Sequence, residues 1–551
     1  MEKKEDRSYW QEPNAAHRRV MYKGAGYSDK DIKFRPHIGV ANSFMEGSPG
    51  SAHLRQLSEA IKQGIWQAGG MPIEFGIPAT CGNLSNGAEE LKYELVGRDI
   101  VAASVEFVTQ VHHFDGLVMI ASCDNIIAGT YLAAARLNRP AVIVTGGSMM
   151  PGNYQGQCVL PPDVDVAILK GNDYDLSDME ECVCPSFGAC SVMGTANTMQ
   201  ILGETLNLVI PGTATIPAPD LRKMRTAREA GKRIVELVRD DIKPSDLITR
   251  ETLLNAIMVD MAIGGSTNAV LHIISIAIEL GIDITLNDFD ELSTEIKCIC
   301  GVRPNGPFNV VDLHNAGGVL AVMKMLESKL HKDVPTLIEK TWGEILKTIS
   351  VEPSELLSTL ENPLHKEPGL KVLKGNLAPE GAIVRPSGVP EHMKLFSGPA
   401  KVFSNDFDSL HAIQNGQIKA GDVIVIRYEG CKGAPGMKEL MLSTDALVAF
   451  GLHNSVGLVS DARFSGFNHG PIVGHVCPEA YDGGPIALIE ENDIVTVDTI
   501  KGIVTLEVSE DELARRRLLW VRPEPKVKKG ILALYAATCR PANEGGAMQN
   551  W

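Results

Sequence analysis

Two kinds of pattern divide the chain. From about residue 36, apolar runs of strand length alternate with stretches of helical periodicity. HIGVANSF (37–44), MPIEFGIPA (71–79), DGLVMIAS (115–122) and PAVIVTGG (140–147) read as strands. HLRQLSEAIKQGIWQAG (53–69), RDIVAASVEFVTQV (98–111) and GTYLAAARL (129–137) read as helices, the first closed by Gly69–Gly70. The runs at 115–122 and 140–147 are almost wholly apolar, as in a parallel sheet covered on both faces. Residues 195–280 carry a mostly helical pattern. A polar, Pro-containing stretch, ENPLHKEPG (361–369), then interrupts the chain. Beyond it come short β-type runs split by Gly and Asp turns: GAIVRP, AKVFS, DVIVIRY, SVGLVS, DIVTVDT and GIVTLEV. The patterns predict an N-terminal arm over 1–35 and an α/β domain over 36–365, its parallel sheet flanked by helices. A mainly β, barrel-like domain is expected over 366–551.

Composition narrows the function. At 551 residues the chain is too long for one ordinary core. Hydrophobic residues at 44% and charged residues at 22% are globular values. A formal charge of −16 argues against non-specific nucleic-acid binding. The longest apolar stretch, Ala269 to Ile282, contains His272 and Glu279 and falls short of the ~20 residues of a membrane span. The opening MEKKEDRSYWQE has no apolar core of the signal-peptide kind, so a cytoplasmic protein is expected. Eleven Cys are too sparse for a disulfide scaffold. Each thiol is then either a small buried hydrophobe or a ligand.

Ligands of open α/β sheets bind beyond the carboxyl ends of the strands. Cys123-Asp124-Asn125 follows one apolar strand and Cys81-Gly82-Asn83 follows another. A buried Cys and a helix-capping Asp would explain the first equally well. Cys182, Cys184 and Cys190 are spaced C-x-C and C-x5-C, neither a standard zinc nor a ferredoxin signature. Cys298-Ile299-Cys300 alternates like a structural strand. Gly264-Gly265-Ser266-Thr267-Asn268 fits a carboxylate- or phosphate-binding turn at a helix N-terminus, or plain capping. G-x-x-x-x-G-K-[ST], G-x-G-x-x-G and H-E-x-x-H are all missing, which weakens ATPase, classical dehydrogenase and zinc-protease readings.

Taken together, seven segments resemble the dihydroxy-acid dehydratase family, which includes the 6-phosphogluconate and sugar-acid dehydratases. They are IGVANSF (38–44), GLVMIASCDNIIAG (116–129), GACSVMGTANTM (188–199), IGGSTNAVLH (263–272), VLKGNLAPEGAIVRPSGV (372–389), GDVIVIRYEGCKGAPGMKEL (421–440) and SDARFSGFNHGPIVGHVCPEA (460–480). The resemblance implies loss of water from a 2,3-dihydroxy acid to give a 2-keto acid. The default substrate is 2,3-dihydroxy-3-methylbutanoate. It implies an iron–sulfur cluster, [2Fe–2S] or [4Fe–4S], held by three Cys with one iron open. It also implies a Mg²⁺ on the substrate's oxygens, and a homodimer or homotetramer with the site between an α/β domain and a β-barrel.

Carried over residue by residue, the resemblance makes Cys123 and Cys190 cluster ligands. The T-P-C-N stretch that holds the third ligand in some members is Ser48-Pro49-Gly50-Ser51 here. Cys81, after Pro78-Ala79-Thr80, matches the phosphogluconate-type members instead, with Cys184 in reserve. Glu89, Asp124 and Glu439 match Mg²⁺ ligands. Ser266, Thr267, Asn268 and Arg463 are candidate substrate contacts.

Three departures stand out. The family's Lys after Cys-Asp is Asn125, on which no carbamate can form, and its S-D-G or C-D-G Asp is Gly82. Its S-G-x-[ST] motif reads Ser465-Gly466-Phe467-Asn468. Asn468 stands where the proton-abstracting Ser or Thr belongs, and an amide is no base. His469 is the neighbouring candidate, with an ordinary pKa of ~6.5 suited to that work. A cluster-binding paralogue without the activity, or a sugar-acid dehydratase with a variant catalytic base, is the alternative.

Overall fold

A computed structural model of the chain describes residues 8–171, 175–464 and 468–549. Short helices over Ser8–Gln11, Ala16–Gly24 and Asp29–Phe34 make up the arm. Trp10, Tyr22 and Ile32 bury themselves with Met71, so the arm docks on the edge of the first sheet.

That sheet has four parallel strands: β1 (His37–Asn42), β2 (Met71–Gly76), β3 (Gly116–Ala121) and β4 (Ala141–Thr145), in the order β2-β1-β3-β4. Alternation decides which side chain faces which layer. Ile38, Val40, Val118, Ile120, Val142 and Val144 face α1 (Leu54–Gln67) and α5 (Arg222–Asp240). Ala41, Leu117, Met119, Ala121, Ala141 and Ile143 face the larger core. That core includes α2 (Tyr93–His112), α3 (Asp124–Leu137), α4 (Thr195–Thr205), α6 (Arg250–Ile263) and α7 (Asn268–Glu279). Every residue of β3 is buried, as its apolar run predicts. A small hairpin, β5 (Gly152–Tyr154) and β6 (Gln157–Val159), follows.

Two helices begin earlier than their apolar periodicity predicts. α2 starts at Tyr93, and α3 starts at Asp124 because Cys123 sits extended at its N-cap. Cys298-Ile299-Cys300 forms no full strand: Cys300 makes an isolated bridge to Leu357.

The second sheet is mixed and has eight strands. They are β7 (Lys371–Leu373), β8 (Gly381–Val384), β9 (Leu395–Phe403), β10 (Val423–Ile426), β12 (Gly457–Ser460), β14 (Ile472–Cys477), β15 (Ile494–Asp498) and β16 (Ile503–Leu506). Their order is β16-β15-β9-β10-β12-β14-β8-β7. Lys374, just past β7, bridges Ile503 on β16: Val504 N donates to Lys374 O at 2.9 Å and Lys374 N to Gly502 O at 2.9 Å. The sheet is thereby nearly closed, which satisfies its edges. Val384, Val423, Val425, Val459, Val473, Val495 and Val504 fill its interior. A separate parallel pair, β11 (Glu439–Leu440) and β13 (Arg463–Phe464), sets Glu439 opposite Arg463. Leu95 and Val96 of α2 and Leu271 of α7 pack with Cys431, Met437 and Cys477, which joins the two domains. Among the described residues no helix is long and apolar enough to cross a membrane.

Candidate active site

Three loops and one strand pair converge on a cavity of about 100 Å³. Cys81, Gly82 and Asn83 enter from the loop after β2. Cys123 and Asp124 enter from the turn between β3 and α3, and Cys190 and Val192 from the loop before α4. Gly194, Thr195 and Ala196 at the start of α4 add to the wall, with Pro162, Glu439 and Met441. The first turns of α3 and α4 both open here, so their unpaired N–H groups favour anions in the cavity.

The thiols form an interacting set. The Cys123 thiol bonds to the Cys81 sulfur, which lowers the Cys81 pKa and, with burial, pushes Cys123 well up. Burial and the charge of Cys81 raise Cys190. The carboxylates repel one another. Burial, then Glu439 and Glu94, lift Asp124 well above the usual carboxylate range, against the pull of Arg463. Glu94 is raised mainly by burial. Arg463 is fully buried, with Nη1 at 3.1 Å from Glu439 Oε2 and Nε donating to Met437 O at 2.9 Å. Asp124 Oδ1 is buried with no hydrogen-bond partner among the described residues. Such an orphan calls for a ligand, and anionic oxygens suit a hard cation.

Among the described residues no three acidic, Cys or His side chains close on a single point. Thiols spread around a hollow suit a multi-iron cluster better than one tetrahedral ion. The donor set therefore fits an iron–sulfur cluster, with oxygen donors beside it.

The matches to known proteins decide the family. The N-terminal model of dihydroxy-acid/6-phosphogluconate dehydratases matches residues 35–345, and the C-terminal model matches 355–546. The chain belongs to the dihydroxy-acid/6-phosphogluconate dehydratase family. Membership makes it a dehydratase, a hydro-lyase. A dihydroxy-acid dehydratase of Methanococcus aeolicus is 43% identical over 537 residues, covering 96% of this chain and 97% of the relative. The Pyrococcus furiosus dihydroxy-acid dehydratase is 44% identical over 541 residues, 97% of each chain. That of Ignicoccus hospitalis is 43% identical over 546 residues, 98% of each.

Within this family frame, position 50 explains the third thiol. A Cβ at Gly50 would lie 2.1 Å from Cys123 Sγ. The stretch that lacks its cysteine thus borders the thiol cavity, and Cys123 fills the space a side chain there would take. Cys81 enters on the loop after β2. Cys184, the reserve thiol, is exposed, yet near enough that Cys81 raises its pKa and that it raises that of Cys190.

Glu89 does not line the cavity. Its side chain is 51% exposed and pairs with Lys92 at 2.6 Å and Lys438 at 3.1 Å. Partial burial opposes ionisation, but the two lysines hold its pKa down at about 2. Glu94 in the first turn of α2 is the buried carboxyl beside Asp124 and Glu439. A Cβ at Gly82 would point at Glu94 Cγ, 3.9 Å away, so Glu94 borders the room left by the missing Asp. No motif surrounds Glu94; its only sequence signal is a charge beside Leu95 and Val96 in an apolar run.

Ser266, Thr267 and Asn268 are buried behind the cavity wall. Ser266 Oγ lies 2.7 Å from Thr195 Oγ1, and Asn268 Nδ2 donates to the same hydroxyl at 3.1 Å. Ser266 and Asn268 reach the cavity through Thr195, which lines it and stands outside the Ser266-Thr267-Asn268 motif.

Asn468 and His469 lie against another wall. Asn468 packs at the 385–389 turn, where Gly470 N donates to Gly388 O at 3.0 Å. His469 stacks obliquely with His453 at 6.1 Å. Burial, then the charges of Arg385, His453 and Arg303, lower its pKa to about 4. It is therefore neutral at pH 7 and a weak proton acceptor, which removes the pH argument for His469 as the base. Ser465 lies outside the described residues. Asn125 is buried with neither amide atom partnered among the described residues.

Proposed function

We propose that the chain dehydrates a short 2,3-dihydroxy carboxylic acid to a 2-keto acid, with 2,3-dihydroxy-3-methylbutanoate as the default substrate. The observation that carries this reading is the cavity itself, where three thiols from separate segments meet Asp124 and Glu439. Its apolar walls of Pro162, Val192, Ala196 and Met441 suit a small branched carbon skeleton. No Lys or Arg stands among the described lining residues, so nothing there pairs with the phosphate of a phosphorylated sugar acid. The relatives' shared name, dihydroxy-acid dehydratase, points the same way.

An iron–sulfur cluster on Cys81, Cys123 and Cys190 and a Mg²⁺ on Asp124, Glu439 and Glu94 would supply Lewis acidity for the leaving hydroxyl and the C2 proton. The chain's own residues bind and orient. Thr195, the one side-chain hydroxyl among the described lining residues, is fixed by Ser266 and Asn268 to hold a substrate oxygen. The first turns of α3 and α4 receive the substrate carboxylate. Arg463 sets the Glu439 carboxylate at the cavity edge and offsets part of the negative charge. The apolar wall keeps water from the enol product.

Cysteines kept as thiols fit the reducing cytoplasm. Phe107 and Val111, one turn apart on α2 and 70% and 57% exposed, favour self-association as a homodimer or homotetramer.

The test is a 2-keto-acid assay on protein purified without oxygen, reconstituted with iron and sulfide and given Mg²⁺. The panel is 2,3-dihydroxy-3-methylbutanoate, gluconate, 6-phosphogluconate, arabonate and xylonate. Turnover of the first, abolished by Cys123→Ser, is the expected result. A fully loaded cluster with no turnover on any of them would overturn the reading in favour of a cluster-binding paralogue.

A further inference from the structure

Asn83 stands at the cavity mouth, in the single-turn 3₁₀ helix Gly82–Leu84 that follows Cys81. Its side-chain amide donates to Cys190 Sγ at 3.4 Å. One exposed residue thus presents an N–H group to a thiol that reaches the cavity from a segment 107 positions away. No other residue in that segment does so: Gly82 has no side chain, and Leu84 turns outward, 70% exposed.

We propose that Asn83 is a positioning residue for the iron–sulfur cluster, donating its side-chain amide N–H to the Cys190 thiolate. This rests on the cluster assignment made under Proposed function. N–H groups aimed at cysteinyl sulfur draw electron density from it and stabilise the reduced cluster, so they raise its potential. Solvent exposure of the sulfurs sets the potential as well. Asn83 neither ligates iron nor touches the reacting carbon. Its effect is on how readily the cluster is held, reduced and attacked by oxygen.

The experiment loads wild type, Asn83→Ala, Asn83→Asp and Asn83→Gln anaerobically with iron and sulfide. It then measures the cluster's midpoint potential by spectroelectrochemistry and the rate of visible bleaching in air. Asn83→Ala removes the amide donor to Cys190. It is expected to load fully, with a more negative potential and several-fold faster bleaching. Asn83→Asp, an anion without an N–H, shifts both further in the same direction, and Asn83→Gln recovers part of the loss. Wild-type potential and bleaching in a fully loaded Asn83→Ala would overturn the Asn83 assignment while leaving the cluster reading intact. Failure of wild type itself to take up a cluster would overturn both.

Discussion

The loops after β2 and β3 leave the same carboxyl edge of the same sheet, yet they build the site differently. After β3 the chain turns at once: Ser122 and Cys123 are extended, and Asp124 already opens α3. Strand and helix, both rigid, hold Cys123 and Asp124 between them. After β2 the chain runs from Ile77 to Lys92 through two short 3₁₀ turns before α2 begins. Cys81, Gly82 and Asn83 reach the cavity on this longer path, while Leu84 and Glu89 face solvent. A tight strand-to-helix turn makes position in sequence equal position in space. A long loop breaks that equivalence, and residues a few places apart end on opposite sides of a wall.

The largest expected effect comes from the tight turn. Cys123→Ser should remove the cluster's visible absorbance and all turnover, because no neighbouring thiol can enter a position set by β3 and α3. Retention of a full cluster spectrum by that variant would show the turn is less exacting than the fold indicates. On the long loop the loss should be partial. Cys81→Ser is expected to load less iron, measured by iron and sulfide content, with Cys184 as the substitute thiol. The double variant Cys81→Ser/Cys184→Ser should then load none. Equal loading of the single and double variants would remove Cys184 from the picture.

The carboxylates sharpen the contrast further. Glu94→Gln should weaken Mn²⁺ binding, followed by electron paramagnetic resonance, by about tenfold, the scale of a lost group at a metal site. Glu89→Gln should change it less than twofold, since that side chain is spent on Lys92 and Lys438. The opposite ranking would return Glu89 to the metal.

A separate effect, on stability and not on the metal site, lies at His469, away from the cavity. Its folded pKa of about 4 lies below the unfolded value of ~6.5. The folded state therefore binds fewer protons, and this contribution is complete above pH ~6.5 and lost as pH falls toward 4. By pH 5 the loss amounts to about 2 kcal/mol. His469→Gln should flatten that part of the pH–stability curve, read by urea denaturation at pH 7 and pH 5. An unchanged slope between the two would contradict the burial of a neutral ring.

Much was legible in the sequence wherever a local pattern carries the physics. The wholly apolar run of β3 announces a strand buried on both faces, and the Gly- and Asp-punctuated valine runs after 370 announce the barrel. Cys123 and Asp124 could be placed because a strand end and a helix start sit on either side of them. The seven motif segments named the family, and the matched models cover both domains. α2 and α3 start ahead of their apolar periodicity because their first turns carry Glu94, Asp124 and Asn125, of which Glu94 and Asn125 are buried by distant chain and not by local amphipathicity.

By itself, then, the sequence determined the two kinds of sheet, the family and the cysteines at strand ends, since each rests on periodicity or on neighbours in the chain. Only the tertiary structure decided which of two carboxyls is buried near Asp124 and Glu439. Glu89 and Glu94 differ little as residues in a sequence; one meets Lys438 across 349 positions, and the other meets Asp124 and Glu439. It likewise decided that Gly50 adjoins the Cys123 thiol, and that His469 lies beside Arg385 and His453 instead of lining the cavity. Charge and contact depend on distance through space, and between distant segments that distance exists only once the chain has folded.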